Sequence, residues 1–122
     1  MSVSTKQSGD EGEEIAVEYI VEKGYEIIDR NYRYGKGEID IIAKDPETGE
    51  TVFIEVKSKK NLEFGDPVYS VTKNKIKQIK RMAELYLYDK EIDEIDCRFD
   101  VITVLLRGKQ KPIIEHYVNA FM

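Results

Sequence analysis

The stretches GEIDII, at residues 37–42, and FIEVKSK, at residues 53–59, decide the fold of this chain. Both are rich in Ile, Val and Phe, which favour β-strands, and the segment DPETGE between them is typical of a hairpin turn. Each strand nevertheless carries charge within an apolar run, including Asp40, Glu55 and Lys57. The sequence therefore predicts a strand hairpin that holds two carboxylates and an amine.

Strict alternation of side chains predicts which residues of this hairpin share a face. After the turn, the charged face would consist of Phe53, Glu55, Lys57 and Lys59. Before the turn, one face would consist of Glu38, Asp40 and Ile42, and the opposite face of Ile39, Ile41 and Ala43.

Pairing of the two strands would bring Asp40 and Glu55 close together. Two neighbouring carboxylates repel each other, and a hard cation such as Mg²⁺ or Mn²⁺ relieves that repulsion. Lys57 would then stand beside the metal, placed to orient a water or to neutralise charge on a phosphate. The alternative reading of these residues is a solvated surface, which is the usual role of an acid and a lysine on a half-exposed strand.

The segment before the hairpin predicts a tail, a helix and a strand. Residues 1–9 are polar and lack periodicity, so a disordered tail is expected. Apolar residues at helical spacing then predict a helix from Gly12, with Gly24 as its C-cap. The β-forming run at 25–34 predicts a strand that leads into the hairpin.

The segment after the hairpin predicts a second helix and two strands. Thr72 is a favourable N-cap for a long helix, and the runs CRFDVITVLL and PIIEHYV read as strands. The order α-β-β-β-α-β-β predicts an α/β (α+β) fold, with a mixed central sheet between helices, in a single domain over residues 10–122. Cys97 is expected to be buried, Arg98 and Asp100 to form a structural ion pair, and His116 to be a structural or surface residue.

The charge of the chain is unevenly distributed. The net charge is −5, yet residues 57–81 carry eight basic and two acidic side chains, a local charge of +6. A local basic surface can bind a polyanion even when the whole protein is acidic, because salt screens charges over about 10 Å. The predicted phosphate contacts in this segment are Lys59, Lys73, Lys75 and Lys77. Asn31 and Arg33 either contact a phosphate or cap the hairpin beside them.

The sequence also argues against several classes of protein. No apolar run reaches the length of a membrane span, and the N-terminus lacks the basic start and apolar block of a secretory signal. Cys97 is the single cysteine, so an intrachain disulfide is excluded. A cytoplasmic protein is the expectation that follows.

An acid, a hairpin and then E-x-K resemble the signature of the PD-(D/E)xK nuclease superfamily, although Ile39 stands where that signature has proline. More narrowly, the chain resembles the YraN-like family of small bacterial proteins, which are similar to Holliday-junction resolvases. The matching blocks cover most of residues 12–105: GEEIAVEYI, RNYRYGKGEIDIIA, VFIEVKSK, VTKNK, AELYL and RFDVITV. This resemblance implies a restriction-endonuclease-like αβββαβ core.

The resemblance also implies a site and a reaction. The implied catalytic residues are Asp40, Glu55 and Lys57. The implied ligands of Mg²⁺ or Mn²⁺ are Glu13, Asp40, Glu55 and the backbone carbonyl of Val56. Lys75 matches a basic residue that meets phosphate, and Lys59 stands where the family more often has arginine. The implied activity is metal-dependent hydrolysis of DNA, structured or branched, by a homodimer.

Two other functions stay open from the sequence. One is a nucleic-acid-binding module on a nuclease fold that does not cleave. The other is a protein-interaction domain in which the same charges form a structural network.

Overall fold

A computed structural model describes residues 3–60, 72–92 and 95–121, with side chains from residue 11 onward. The elements are α1 (Val3–Glu22), β1 (Glu26–Tyr34), β2 (Gly37–Lys44), β3 (Thr51–Lys59), α2 (Lys73–Asp89), β4 (Cys97–Arg107) and β5 (Gln110–Tyr117). This order and the α+β class confirm the prediction, and the first six elements form the expected αβββαβ core. No helix in the described ranges is both long and apolar enough to cross a membrane.

The ends of the helices follow the local sequence. α1 begins at Val3 rather than Gly12, because the polar residues before Gly12 carry no apolar stripe by which periodicity could identify them. Residues 3–9 of the tail predicted to be disordered have a helical backbone in α1, while residues 1 and 2 lie outside the described residues. α1 ends before Gly24, whose φ of 91° is the left-handed conformation that glycine adopts readily. Thr72 caps α2 as predicted.

The five strands form one sheet in the order β1-β2-β3-β4-β5. β3 and β4 are parallel, and the other three pairs are antiparallel, so the sheet is mixed. The β1–β2 turn, the end of β3 and the β4–β5 turn consequently lie at the same edge of the sheet. We call this edge, formed by residues 34–37, 57–60 and 107–110, the hairpin edge.

The two helices cover opposite faces of the sheet. The core under α1 consists of Ala16, Ile20, Ile41, Ala43, Val52, Ile54, Ile102 and Val104. The core under α2 consists of Ile39, Ile42, Phe53, Met82, Ala83 and Tyr86, and a third cluster joins Ile79 to Val101 and Phe121. Both faces of the central strands are therefore buried, which explains their nearly continuous apolar runs.

Strict alternation along β2 was the wrong expectation. Ile39 packs on the α2 side with Ile42, whereas alternation had grouped it with Ile41 on the opposite face. The change of face occurs at Asp40. Between the β1 partners of Ile41 and Ile39 lies Asn31, whose φ of 53° is left-handed, although the pairing register is the same on both sides of it.

A buried ionic network lies near the opposite edge of the sheet. The Arg98 guanidinium is 2.6 Å from Oδ2 of Asp45 and 3.0 Å from Oδ1 of Asp100. His116 Nε2 is 2.7 Å from Oδ2 of Asp100. Although burial acts to raise it, the hydrogen bonds with His116 and Arg98 hold the pKa of Asp100 below its ordinary value. The structural ion pair is thus present, while the expectation of a buried Cys97 was wrong because that side chain is exposed.

Candidate active site

The candidate site lies where β2 and β3 separate. Their ladder runs from the Lys44–Thr51 pair to the Ile41–Ile54 pair. Beyond it, the backbone N–H of Val56 donates a hydrogen bond of 2.8 Å to Oδ2 of Asp40. The Asp40 side chain thus takes the place of a backbone partner and fixes its carboxylate in the gap between the strands.

Glu55 places a second carboxylate beside Asp40. Glu55 is only 6% exposed, and its carboxylate lies close enough to Asp40 to act on the pKa of that residue. Burial and repulsion from Glu55 raise the pKa of Asp40 to about 7, against the opposing effect of the Val56 hydrogen bond. The structure therefore brings together the two acids that the sequence singled out, in a position where both cannot easily be ionised without a counter-charge.

Two lysines from different elements supply positive charge to this pair. The Nζ atoms of Lys57, from β3, and Lys75, from the first turn of α2, each lie 3.7 Å from Oε1 of Glu55. The N-cap contributes to this placement, because Oγ1 of Thr72 accepts a hydrogen bond of 3.1 Å from the Lys75 backbone N–H. Both ammonium groups are partly exposed, so they can reach a ligand that approaches Glu55.

Glu13 approaches the same gap from α1. Burial and repulsion from Asp40 raise its pKa, and hydrogen bonds from Arg30 and Asn31 act in the opposite direction. Arg30 Nη2 lies 3.3 Å from Oε1 of Glu13 and 2.7 Å from Oε1 of Glu14.

The close approach of α1 depends on Gly12. A Cβ placed at this glycine would lie 2.4 Å from Cβ of Ser58 on β3. Such separations do not occur between real side chains, so only glycine permits α1 to lie this close to the strand. The adjacent Glu13 is thereby brought within electrostatic range of Asp40.

The donor atoms suit a hard cation, although the full predicted set is not gathered. Asp40 and Glu55 offer carboxylate oxygens, and in an extended strand the Val56 carbonyl faces the same side as its N–H, toward Asp40. Oxygen ligands of this kind fit Mg²⁺ or Mn²⁺. Within the described ranges, no group of three His, Cys, Asp or Glu side chains is assembled for a metal, and the predicted ligand Glu13 is bound to Arg30.

The remaining predicted contact residues spread outward from the gap. Lys59 is half-buried at the end of β3, and Lys73 and Lys77 are exposed on the first turns of α2. Arg33 lies 3.6 Å from Glu38 across the β1–β2 hairpin. Asn31 acts to lower the pKa of Glu13, which places it near the site. Contact of these residues with phosphate stays a prediction.

Sequence reasoning missed Arg30. Its Nε atom is buried without a hydrogen-bond partner among the described residues, and its Nη2 atom links β1 to α1 through Glu13 and Glu14. The available signal was a charged residue placed opposite the apolar Ile41 in the β1–β2 pair. Nothing local in the sequence connects Arg30 to Glu13, because the contact depends on how α1 packs over the sheet.

Comparisons with known proteins give one consistent family. The family model described as "Uncharacterised protein family UPF0102" matches residues 12–104. A UPF0102 protein of Clostridioides difficile is 44% identical over 119 residues, covering 98% of this chain and 100% of the relative. A UPF0102 protein of Chlorobium limicola is 48% identical over 118 residues, covering 93% of this chain and 90% of the relative. A UPF0102 protein of Trichlorobacter lovleyi is 44% identical over 113 residues, covering 93% and 88%.

Proposed function

We propose that this chain, which belongs to the uncharacterised protein family UPF0102, hydrolyses phosphodiester bonds of DNA in a metal-dependent reaction. The observation that carries the proposal is the environment of Glu55. This buried carboxylate repels Asp40 and lies 3.7 Å from the Nζ atoms of both Lys57 and Lys75. Paired acids with adjacent, partly exposed ammonium groups suit binding of a cation together with a phosphate.

Each residue of the gap has a distinct task in this proposal. Asp40 and Glu55, with the Val56 carbonyl, would hold Mg²⁺ or Mn²⁺, and Glu13 would add a ligand on release from Arg30. When bound, the metal supplies Lewis-acid polarisation of the scissile phosphate. The ammonium group of Lys57 orients the attacking water and stabilises the negative charge that develops on the phosphate oxygens.

The lysines around the gap bind the DNA backbone. Lys75 contacts the phosphate that enters beside Glu55, while Lys59, Lys73 and Lys77 contact phosphates further along. Contacts of this kind are independent of base sequence and sensitive to salt. Structured or branched DNA as substrate, a homodimer with two cutting sites and a cytoplasmic location belong to the same proposal.

A second function is favoured by one specific observation. Glu13 is bound by Arg30, and within the described part of the chain no three acidic or metal-ligating side chains are assembled. A nucleic-acid-binding module that does not cleave would retain the lysines without needing a complete metal site. This alternative predicts DNA binding that is unaffected by metal and by Glu55→Gln.

The test of the proposal is a cleavage assay with Mg²⁺ and with Mn²⁺. Labelled single strands, duplexes, flaps and four-way junctions serve as substrates for the parent protein and for folded Glu55→Gln and Lys57→Ala variants. Lys44→Ala is the matched control, since this exposed lysine lies at the end of β2 away from the hairpin edge. Metal-dependent cleavage that is lost in the two site variants and kept in the control supports a nuclease. Absence of cleavage, or cleavage that survives both site variants, contradicts it.

A further inference from the structure

A second basic surface lies on the hairpin edge, on the side of β3 that faces β4 and β5. The β4–β5 turn carries Arg107, Lys109 and Lys111, three basic residues without an intervening acid. Lys60 follows directly from the end of β3. All four of these residues are exposed. We call Lys60, Arg107, Lys109 and Lys111 the second basic surface.

A groove of about 360 Å³ separates this surface from α1. Lys60, Arg107 and Gln110 line it from the strands, and Glu11 and Ile15 line it from the helix. Among the described residues of this lining, Lys60 and Arg107 are the cations and Glu11 is the acid, so two cations face one carboxylate. The groove therefore combines an open concave shape with an excess of positive charge, which fits a polyanionic chain better than an apolar ligand.

The β4–β5 turn holds the Arg107 guanidinium in place. Nε and Nη2 of Arg107 donate hydrogen bonds of 2.8 and 2.5 Å to the carbonyl oxygen of Lys111. Gly108 takes the left-handed conformation that the turn requires, with a φ of 64°. A guanidinium that is held before binding engages a ligand at a lower entropic cost than a flexible one.

The second basic surface is separate from the lysines of α2. Lys75 reaches Glu55 from the α2 face, whereas the groove opens on the α1 face, as its lining by Glu11 shows. Gly12 packs on Ser58 between the groove and Glu13. Two positively charged regions therefore flank the gap that holds Asp40 and Glu55.

We propose that the second basic surface binds the phosphodiester backbone of DNA outside the stretch that contacts Asp40 and Glu55. This inference rests on the proposed function only for its choice of DNA as the polyanion. It deepens that function, because a substrate must extend past the gap on both sides of β3 to reach both basic regions. A four-way junction or flap, with arms that diverge from one point, meets this requirement better than a short single strand.

The experiment measures binding without metal, so that it does not depend on cleavage. Fluorescence anisotropy with a labelled duplex and a labelled four-way junction is recorded in EDTA over a salt series. Lys109→Gln/Lys111→Gln is compared with Lys44→Gln/Lys90→Gln, which removes two exposed lysines outside this surface. Neither double variant alters a residue of the candidate active site.

We call Lys109→Gln/Lys111→Gln the hairpin variant. We expect it to bind DNA roughly tenfold more weakly than the parent, and the slope of log K against log salt to fall in magnitude by about 1–2. The control variant is expected to change neither quantity. Equal binding by the hairpin variant and the parent, equal losses in both variants, or no DNA binding by the parent would overturn the inference. Hairpin-dependent binding without cleavage would leave the inference standing and contradict the nuclease. Cleavage with the same KM and kcat in the hairpin variant as in the parent would contradict the inference and leave the nuclease standing.

Discussion

The backbone N–H of Val56 is hydrogen-bonded to Oδ2 of Asp40 at 2.8 Å, at the point where β2 and β3 stop pairing. One carboxylate therefore serves two purposes, because it satisfies a strand N–H and faces Glu55 in the candidate site. Substitutions that keep or remove the hydrogen-bond acceptor separate these purposes.

Asp40→Asn and Asp40→Ala are predicted to differ in stability but not in activity. An asparagine oxygen still accepts from Val56 and carries no charge to repel Glu55, so Asp40→Asn is expected to be as stable as the parent or more stable. Asp40→Ala leaves the N–H unpaired and is expected to lower the free energy of unfolding by about 1–3 kcal/mol. Both variants are expected to lose metal binding and cleavage, measured by calorimetric titration and by the cleavage assay. Equal stability of the two variants in urea denaturation would contradict the bracing role of Asp40.

The stability of the protein is predicted to depend on pH through Asp40. Burial and Glu55 raise its pKa to about 7 in the folded state, above the ordinary value of 3.8. Between about pH 4 and pH 7, the folded protein therefore binds more protons than the unfolded chain. The contribution of Asp40 to stability is complete below about pH 4 and is lost as the pH rises through about 7.

Urea denaturation across this pH range checks the prediction, with Asp40→Asn as the control that lacks the titrating group. The unfolding free energy of the parent, relative to that of Asp40→Asn, is expected to fall as the pH rises. Added Mg²⁺ is expected to stabilise the parent more at about pH 8 than at about pH 5, because metal binding needs both carboxylates ionised. A difference between parent and variant that does not change with pH would contradict the raised pKa.

The sequence was sufficient to predict the sheet and the pair of acids. It was insufficient to predict which side chains of other elements contact the site. The apolar strands and the turn between them predicted the β2–β3 hairpin, and its register brings Asp40 beside Glu55. The placements of Lys75 and Arg30 follow from packing between distant elements, which periodicity does not describe. The change of face at Ile39 occurs beside a left-handed Asn31 in the paired strand, a backbone conformation that alternation does not describe.

Gly12→Ala is predicted to destabilise the protein, although alanine in a helix normally stabilises by about 0.5–1 kcal/mol. The new Cβ would lie 2.4 Å from Cβ of Ser58, so α1 must move away from β3, at a cost of about 1–3 kcal/mol. Thermal unfolding measures the loss, with Glu18→Ala on the exposed side of α1 as control. The cost of Gly12→Ala is expected to be much smaller in a Ser58→Gly background. An unchanged cost in that background would show that the two residues do not limit the approach of α1.

Arg98→Met and Arg33→Met are predicted to differ because one arginine is buried and the other is exposed. Arg98 is 6% exposed and binds Asp45 and Asp100, so its loss removes the cation that two buried carboxylates share and is expected to cost about 3–5 kcal/mol. Arg33 is 71% exposed and pairs with Glu38 at 3.6 Å, and its loss is expected to cost less than about 1 kcal/mol. Guanidinium denaturation compares the two variants. Similar losses would contradict the view that the Arg98 network holds β4 against its neighbours.

Lys57 and Lys75 lie at the same distance from Oε1 of Glu55, yet they are predicted to act at different steps. Lys57 is on β3 next to the carboxylates, so Lys57→Gln is expected to lower the single-turnover cleavage rate by about 10²–10³ while DNA affinity changes little. Lys75 opens α2 among Lys73 and Lys77, so Lys75→Gln is expected to weaken DNA binding and reduce its salt dependence, with a smaller effect on the rate at saturating enzyme. Binding measured in EDTA and cleavage measured at saturating enzyme separate the two effects, with Lys44→Gln as control. If Lys75→Gln lowers the saturated rate as much as Lys57→Gln does, both ammonium groups stabilise the reacting phosphate. The division between a catalytic lysine and a binding lysine is then wrong.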